Sequence, residues 1–430
     1  IVAIAVVITM GIWGVLKYAN FFIGNVNAVG HLFTDADLLQ PVKFLLPLGI
    51  SFYTFNAVGY LVDIYRTKYR AEHNFLKFFT YMSFFPHIIQ GPFSRYDRLS
   101  SDLFRKHTAS FDRLRFGALR MCWGYFEKII IADKIGTAVR TVFQEYASYS
   151  GIHIFFTMIL YCIQLYADFQ GYMDIVCGLC EMLDIELDEN FRQPYFARSI
   201  DEFWRRWHLT LGTWFKDYIF YPVSFSKAGQ KLGRWARRKW GAKMGKLAPG
   251  YFAMLFVWTA TGLWHGANWT YVIWGWLNML AILSTMQFQD YYDRAKARLG
   301  IRSQGWAWQT LLVIKTFLLV CVFRFFSYSG DLNDAVQMIL HSLTHVRTPG
   351  IGGFHGLFAG MNDSGIWLCL AGVAMLLTID ILKEKGYWTK VRTNAPYVVR
   401  VLLWFALLFL ILFFGGDQND LTSGFMYAIY

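Results

Sequence analysis

The chain has 430 residues, of which 56% are hydrophobic, 19% aromatic and only 16% charged, and its formal net charge is +12. Average soluble domains carry about 25% charged and 45–50% apolar residues, so the chain departs from them on both counts. With 40 Phe, 25 Tyr and 17 Trp against 29 acidic residues, intrinsic disorder, coiled coil and fibrous repeats are excluded.

A helix needs about 20 mostly apolar residues to cross the hydrocarbon core of a bilayer, and roughly 17 at the least. The chain opens inside an apolar run, Ile1–Leu16, with neither Met nor a charged leader. This points to a true N-terminus upstream of the numbering rather than to a signal peptide. Uncharged stretches follow at Phe44–Val62 (19 residues), Phe78–Ser94 (17) and Tyr146–Ala167 (22). Leu247–Gln289 runs for 43 residues without Lys, Arg, Asp or Glu, enough for two helices and a tight turn. Trp306–Phe323 is similar but carries Lys315, and Ser364–Ile379 and Val401–Gly416 give 16 residues each. The pattern predicts an all-α polytopic membrane protein, a single integral-membrane domain over 1–430, with about eight to eleven membrane elements.

The positive charge is concentrated. Lys227–Lys246 holds eight basic residues and no acid, which reads as a short loop kept in the cytoplasm. Arg294–Arg302 and Lys383–Arg400 fall on the same side by the same rule. Between membrane helices such stretches meet anionic lipid headgroups rather than nucleic acid. The six cysteines are scattered, and the Cys177/Cys180 pair lacks the second pair or His cluster of a zinc site. They read as packing residues, and no metal site is expected.

Ionisable residues inside apolar segments are the first places to look for function. Gly262-Leu-Trp-His-Gly-Ala-Asn-Trp269 sits within the long uncharged block and carries His265. A lone buried His is most often a satisfied core residue. Here Gly262 and Gly266 thin the helix surface, and Trp264 and Trp269 offer rigid walls with N–H donors. Asn268, three residues on, would share a helical face with His265 and orient one ring nitrogen. A neutral buried imidazole can take a proton from a hydroxyl. The second constellation is Ile200-Asp-Glu-Phe-Trp-Arg-Arg-Trp-His208. Its tryptophans suit the membrane interface, while Trp204, Arg205, Arg206 and His208 together suit a thioester-bearing or phosphorylated donor. The third is Tyr166–Asp174, where Asp168 and Asp174 follow an uncharged stretch. Such acids could serve ion coupling, a helix-breaking turn, or support of a His from behind. Serine nucleophile elbows, P-loops and dinucleotide fingerprints are absent from the sequence.

Several of these segments resemble the membrane-bound O-acyltransferase family, and most closely its bacterial branch acting on alginate, peptidoglycan and, more distantly, teichoic acid. The likeness runs in order through Pro47–Phe55, Asp63–Arg66, Phe84–Pro92, Tyr166–Asp174, Asn190–Tyr195, Trp204–His208 and Leu263–Trp269. The resemblance implies a helical shell around a membrane-spanning tunnel, with His265 catalytic and His208 beside it. It implies transfer of an acyl group, acetyl above all, from acetyl-CoA or an acyl-carrier thioester on the cytoplasmic side of a bacterial inner membrane, with no bound cofactor. The acceptor would be a cell-envelope or extracellular polysaccharide, reached through an extracytoplasmic esterase-like partner. Phe425–Tyr430 loosely resembles a terminal aromatic motif that places Tyr427 as an acyl relay. The chain departs from the family in having Gln170 where Ser is common, Asn278 where His is frequent, and Ala428 where an aromatic is usual.

On this reading His265 is the general base, Asn268 orients it, and His208 with Arg205 and Arg206 positions the donor or steadies the oxyanion. Trp264, Trp269, Asp168 and Asp174 line or support the site. A D-alanyl transferase using a carrier protein is the alternative within the family. A transporter or channel lined by Asp168, Asp174 and His265 is the alternative outside it.

Overall fold

The computed structural model describes residues 1–88, 90–346 and 353–415. Among them the regular structure is helical, with one isolated bridge between Phe191 and Trp207. In chain order the helices are α1 (Val2–Gly30), α2 (Ile50–Tyr65), α3 (Phe75–Met82), α4 (Tyr96–Leu103), α5 (Phe111–Phe126) and α6 (Asp133–Gln144). Next come α7 (Gly151–Met182), α8 (Ile200–Trp204), α9 (Leu209–Phe215), α10 (Tyr221–Ser224), α11 (Lys227–His265) and α12 (Trp269–Arg298). The last six are α13 (Trp306–Tyr328), α14 (Leu332–Thr344), α15 (Phe354–Leu357), α16 (Asp363–Glu384), α17 (Trp388–Asn394) and α18 (Tyr397–Phe414).

Six of these are long and apolar enough to cross a membrane: α1, α7, α11, α13, α16 and α18. They divide by burial. The apolar windows of α1 and α18 are 6% buried, so their side chains face outward as a lipid-contacting surface must, whereas that of α7 is 72% buried. The uncharged block at 247–289 is the expected pair of helices, α11 and α12, joined by a short turn at Gly266–Asn268. Two other stretches fold differently. Phe78–Ser94 does not form one helix: α3 ends at Met82 and the chain continues through a 3-10 turn containing Pro86, whose ring cannot continue a helix interior. The basic stretch 227–246 is not a loop but the helical first half of α11, which breaks at Gly241 (φ 86°). Only the part after that break has membrane-crossing composition, and residues 242–265 reach about 36 Å at 1.5 Å per residue.

One glycine-lined crossing sets the frame. Gly117 and Gly124 of α5 meet Gly178 and Gly171 of α7 so closely that a Cβ on Gly124 would lie 2.4 Å from the carbonyl oxygen of Gly171. Backbones approach like this only where side chains are absent. The same crossing carries the third sequence constellation. Between α5 and α6 the helix widens into a π-turn, Glu127–Ala132, a device often found where a side chain must be redirected. Within it Lys128 Nζ lies 2.8 Å from Asp168 Oδ1 and 2.7 Å from Asp133 Oδ1. Arg120 Nε donates to Asp174 Oδ1 at 2.7 Å, and Gln170 Nε2 donates to the other Asp174 oxygen at 2.9 Å. The Tyr166 hydroxyl donates to Asp380 of α16 at 2.9 Å. Asp168 and Asp174 therefore join α5, α7 and the π-turn through buried ion pairs, and Gln170 completes one of them.

Breaking a buried pair leaves a charge with no compensation, at a cost of about 3–5 kcal/mol. Lys128→Met should therefore lower the thermal unfolding temperature of the detergent-purified chain sharply. An unfolding temperature unchanged in a calorimetric scan would show that the pair does not hold the frame.

Candidate active site

α11 stops at His265, and the stop is built from both sides of the turn. Gly266 takes an extended conformation (φ −176°, ψ 150°) that ends the helix. The last carbonyls would otherwise be unpaired in an apolar interior. The Tyr18 hydroxyl of α1 donates to Leu263 O at 2.8 Å, and Lys17 Nζ donates to Trp264 O at 2.6 Å. A cation at a helix C-terminus also meets the negative end of the helix dipole. Across the turn, Asn268 caps α12: its Oδ1 accepts from Thr270 N at 3.0 Å, and its Nδ2 donates to Gly330 O at 2.6 Å.

This geometry corrects the expected role of Asn268. The helical face it was to share with His265 does not exist, because the helix ends between them. Both ends of its amide are engaged by the turn and by Gly330, so it fixes the loop that carries the histidine. The space beside Gly262 and Gly266 is likewise filled by the start of α12. A Cβ on Gly262 would lie 2.5 Å from Tyr271 O, and one on Gly266 would lie 2.3 Å from the Tyr271 ring. That ring stacks 6.3 Å from the imidazole at an interplanar angle of 21°.

His265 is buried in a case of aromatic rings. Trp264 and Trp274 meet it edge-on at 4.9 and 5.0 Å between centroids. Trp204 packs behind Trp274 at 5.5 Å and donates its Nε1 to Asn278 Oδ1 at 2.9 Å. So Asn278 secures a tryptophan of the wall. Trp269 turns away instead: it is 45% exposed and donates to Asn25 Oδ1 of α1 at 2.8 Å.

His208 lies on the other side of Trp264, with 5.9 Å between ring centroids. Its backbone is left-handed (φ 49°, ψ 55°), a conformation rare for a side chain of this size. Asn190 holds this corner. Its Oδ1 accepts from Thr210 N at 3.1 Å and from Thr210 Oγ1 at 2.7 Å, and lies 3.4 Å from His208 Nδ1. Phe169 and Phe93 close over the imidazole at 4.8 and 5.9 Å. Phe93 N in turn donates to Thr210 Oγ1 at 3.0 Å.

Phe93, Leu209 and Thr210 form the floor of a broad cleft of about 890 Å³. Six arginines line it: Arg95, Arg98, Arg105, Arg113, Arg120 and Arg192. Five are matched by acids. Arg98 pairs with Asp188, Arg105 and Arg113 with Asp184, Arg120 with Glu189, and Arg95 with Asp217. Arg192 has no ion-pair partner among the described residues. His265 lines a small cavity shared with Tyr161, Leu165, Tyr271, Trp274, Arg324 and Ser327. From it a run of ring contacts, Trp264 to His208 to Phe93, leads to the wide polar cleft that Phe93 lines.

Arg205 and Arg206 do not join this group. Arg205 pairs with Asp201 one turn earlier, and Arg206 bridges Glu202 (2.7 Å) and Glu384 of α16 (2.7 Å). The correction has a local cause, since acids four residues before each arginine capture them. The Asp168 and Asp174 pairs likewise belong to the frame rather than to the His265 pocket. Tyr427 lies outside the described residues. Among the described residues, groups of His, Cys, Asp and Glu that could hold a metal are absent. The sequence reading passed over Asn190, which lay inside a quoted motif, and Lys17, Tyr271 and Arg324.

The comparisons with known proteins agree with this architecture. Residues 45–236 match the model of the membrane-bound O-acyltransferase family, so the chain carries a domain of that family and is a multi-pass membrane protein. It is 34% identical over 338 residues to the "Probable alginate O-acetylase AlgI" of Pseudomonas syringae pv. tomato, covering 78% of this chain and 59% of the relative. The protein of the same name from Pseudomonas aeruginosa is 35% identical over 324 residues, 74% of this chain and 55% of the relative. A "Peptidoglycan O-acetyltransferase" of Helicobacter pylori is 28% identical over 305 residues, 65% of this chain and 54% of the relative. The chain spans a little over half the length of these relatives.

The Arg206 bridge has a pH signature. Burial alone would raise the Glu202 carboxyl, but the Arg198 backbone N–H and the Arg206 guanidinium outweigh it and hold it below its usual range. Its hydrogen bonds to Glu384 first, then Glu202, hold the Arg206 guanidinium above its usual value against partial burial. A lowered carboxyl stabilises the fold fully above its unfolded value of about 4.3 and loses that contribution as pH falls through its folded value. Thermal stability should therefore drop on acidification below pH ~4.3, and less so in Glu202→Gln. Identical acid profiles for the two proteins would remove the bridge from the account.

Proposed function

We propose that this chain is a membrane-bound O-acyltransferase that moves an acetyl group from a cytoplasmic thioester to a hydroxyl of a cell-envelope or extracellular polysaccharide. The observation that carries the reading is the position of His265. It is a buried imidazole lining a small pocket at a helix stop that α1 and α12 both brace, one tryptophan ring away from His208.

The cleft is the donor side. It lies at the end of the bundle where Arg192 meets Arg206 through its backbone, and where Arg206 reaches the end of α16. The basic half of α11 is at the same end: Lys243 and Lys246 share a surface cleft with Asp201 of α8. The positive-inside rule makes that end cytoplasmic. A pantetheine-type arm, common to coenzyme A and to acyl carriers, would pass the floor of Phe93 and Thr210 and present its thioester carbonyl beside Trp264. Arg192, with its charge unmatched, suits a phosphate on that arm.

The thioester carbonyl and the acceptor hydroxyl meet where His265 borders the pocket of Tyr271, Arg324 and Ser327. An acceptor hydroxyl there would give its proton to the His265 imidazole and attack the carbonyl carbon. The C–S bond then breaks, and the thiolate leaves with the proton carried by the imidazole. His208 walls the donor side with its ring held by Asn190. Nothing in the chemistry requires a metal or a bound cofactor. The names of the relatives support a polymer of the alginate or peptidoglycan class. Polymer of that size lies beyond the membrane, so an extracytoplasmic esterase-like partner would complete its modification.

The test uses the whole chain in proteoliposomes, labelled acetyl-CoA as donor and a mannuronate oligosaccharide as acceptor. His265→Ala should reduce acetyl transfer by 10²–10⁴, the usual contribution of a general base. A variant that folds and transfers within a few-fold of the parent rate would contradict the assignment.

A further inference from the structure

Arg324 is a charged residue that neither the frame nor the steps above employ. It lies near the end of the apolar helix α13 and is 4% exposed. Its guanidinium carbon sits 5.3 Å from the Trp207 ring and 5.1 Å from the Trp274 ring. It has no ion-pair partner among the described residues, whereas Lys128, the buried cation of the frame, meets two carboxylates. Cation–π contact returns only part of what stripping water from an unmatched charge costs. A guanidinium over ring faces can direct its in-plane N–H donors at a planar acceptor. Arg324 and His265 line the same small cavity, and Trp274 touches both.

We propose that Arg324 is a catalytic residue whose guanidinium binds the thioester carbonyl oxygen as that oxygen becomes negative. The inference rests on the acyl-transfer reading and adds the group that stabilises its charged intermediate. When the acceptor oxygen bonds to the carbonyl carbon, the carbonyl π pair moves onto oxygen and the imidazole holds the hydroxyl proton. The oxyanion then supplies the negative partner that Arg324 lacks at rest. Collapse re-forms the carbonyl, breaks the C–S bond and sends the proton to the departing thiolate. A fixed cation in a dry pocket stabilises such charge far more than one in water would.

Arg324→Met separates this role from packing. Replacing an unmatched buried charge by an apolar chain of similar length leaves stability equal or higher, so the unfolding temperature should hold within about 3 °C or rise. In the same proteoliposome assay kcat should fall by 10²–10³ with the KM for acetyl-CoA changed less than about fivefold. A kcat within threefold of the parent, or a loss accompanied by a clear fall in unfolding temperature, would overturn the proposal. Should Arg324→Met fail to accumulate, Arg324→Lys keeps a charge against the same two rings but loses the two-donor fork. It should lose at least about tenfold in kcat, and parent-like kcat would overturn the proposal in its turn. If His265→Ala also transfers acetyl normally, the acyl-transfer reading itself has failed. If only the Arg324 variants do, this inference alone has.

Discussion

A helix that stops inside an apolar bundle leaves carbonyls with no water to receive them, and α11 stops at His265. That constraint organises the centre of the molecule. α1 must lie where Lys17 and Tyr18 can reach Trp264 O and Leu263 O. α12 must begin at once, because Asn268 caps it and ties the turn to Gly330. Gly262 and Gly266 must lack side chains so that Tyr271 can fold back over the imidazole. The histidine is consequently fixed at the turn between two helices, against the rings of Trp264, Trp274 and Tyr271.

The remaining polar groups fall into two classes that share burial but not purpose. Lys128 with Asp168, and Arg120 with Asp174, neutralise one another and fix α5 against α7. Their value to the site is rigidity: α7 carries Phe169, which closes over His208, and Leu165, which lines the pocket of His265. Arg324 belongs to the other class, a buried charge with aromatic neighbours and an open coordination. In the proposed reaction its partner is the oxyanion that forms and collapses beside His265.

Much of this was legible in the sequence, and the failures have identifiable causes. The uncharged block at 247–289, interrupted by Gly266-Ala-Asn, announced a hairpin of two helices, and the hairpin is there. The same periodic reasoning misled for Asn268, because it carried helical geometry through a glycine that ends the helix. Arg205 and Arg206 read as a donor-binding pair although Asp201 and Glu202, four residues earlier, were in plain view. The i to i+4 relation that captures them outweighed the attraction of two adjacent cations. Arg324 was hidden by position. It follows directly on the apolar run Trp306–Phe323, where an arginine ordinarily marks a helix end reaching for water. Only tertiary packing turns it inward, between Trp207 on the segment before α9 and Trp274 on α12. Those rings are separated from it by 117 and 50 residues in the chain.

In the proposed reaction a thioester entering by the arginine-lined cleft reaches His265 past Phe93 and Thr210. A cryo-electron microscopy structure of the whole chain in lipid nanodiscs, with a non-hydrolysable acetyl-CoA analogue, tests it most directly. The acyl group is expected between Trp264 and Tyr271, with its carbonyl oxygen facing Arg324 and its carbon beside the His265 imidazole. An analogue whose arm ends above an unmoved Phe93, or runs into the apolar crevice between α5, α16 and α18, would contradict it.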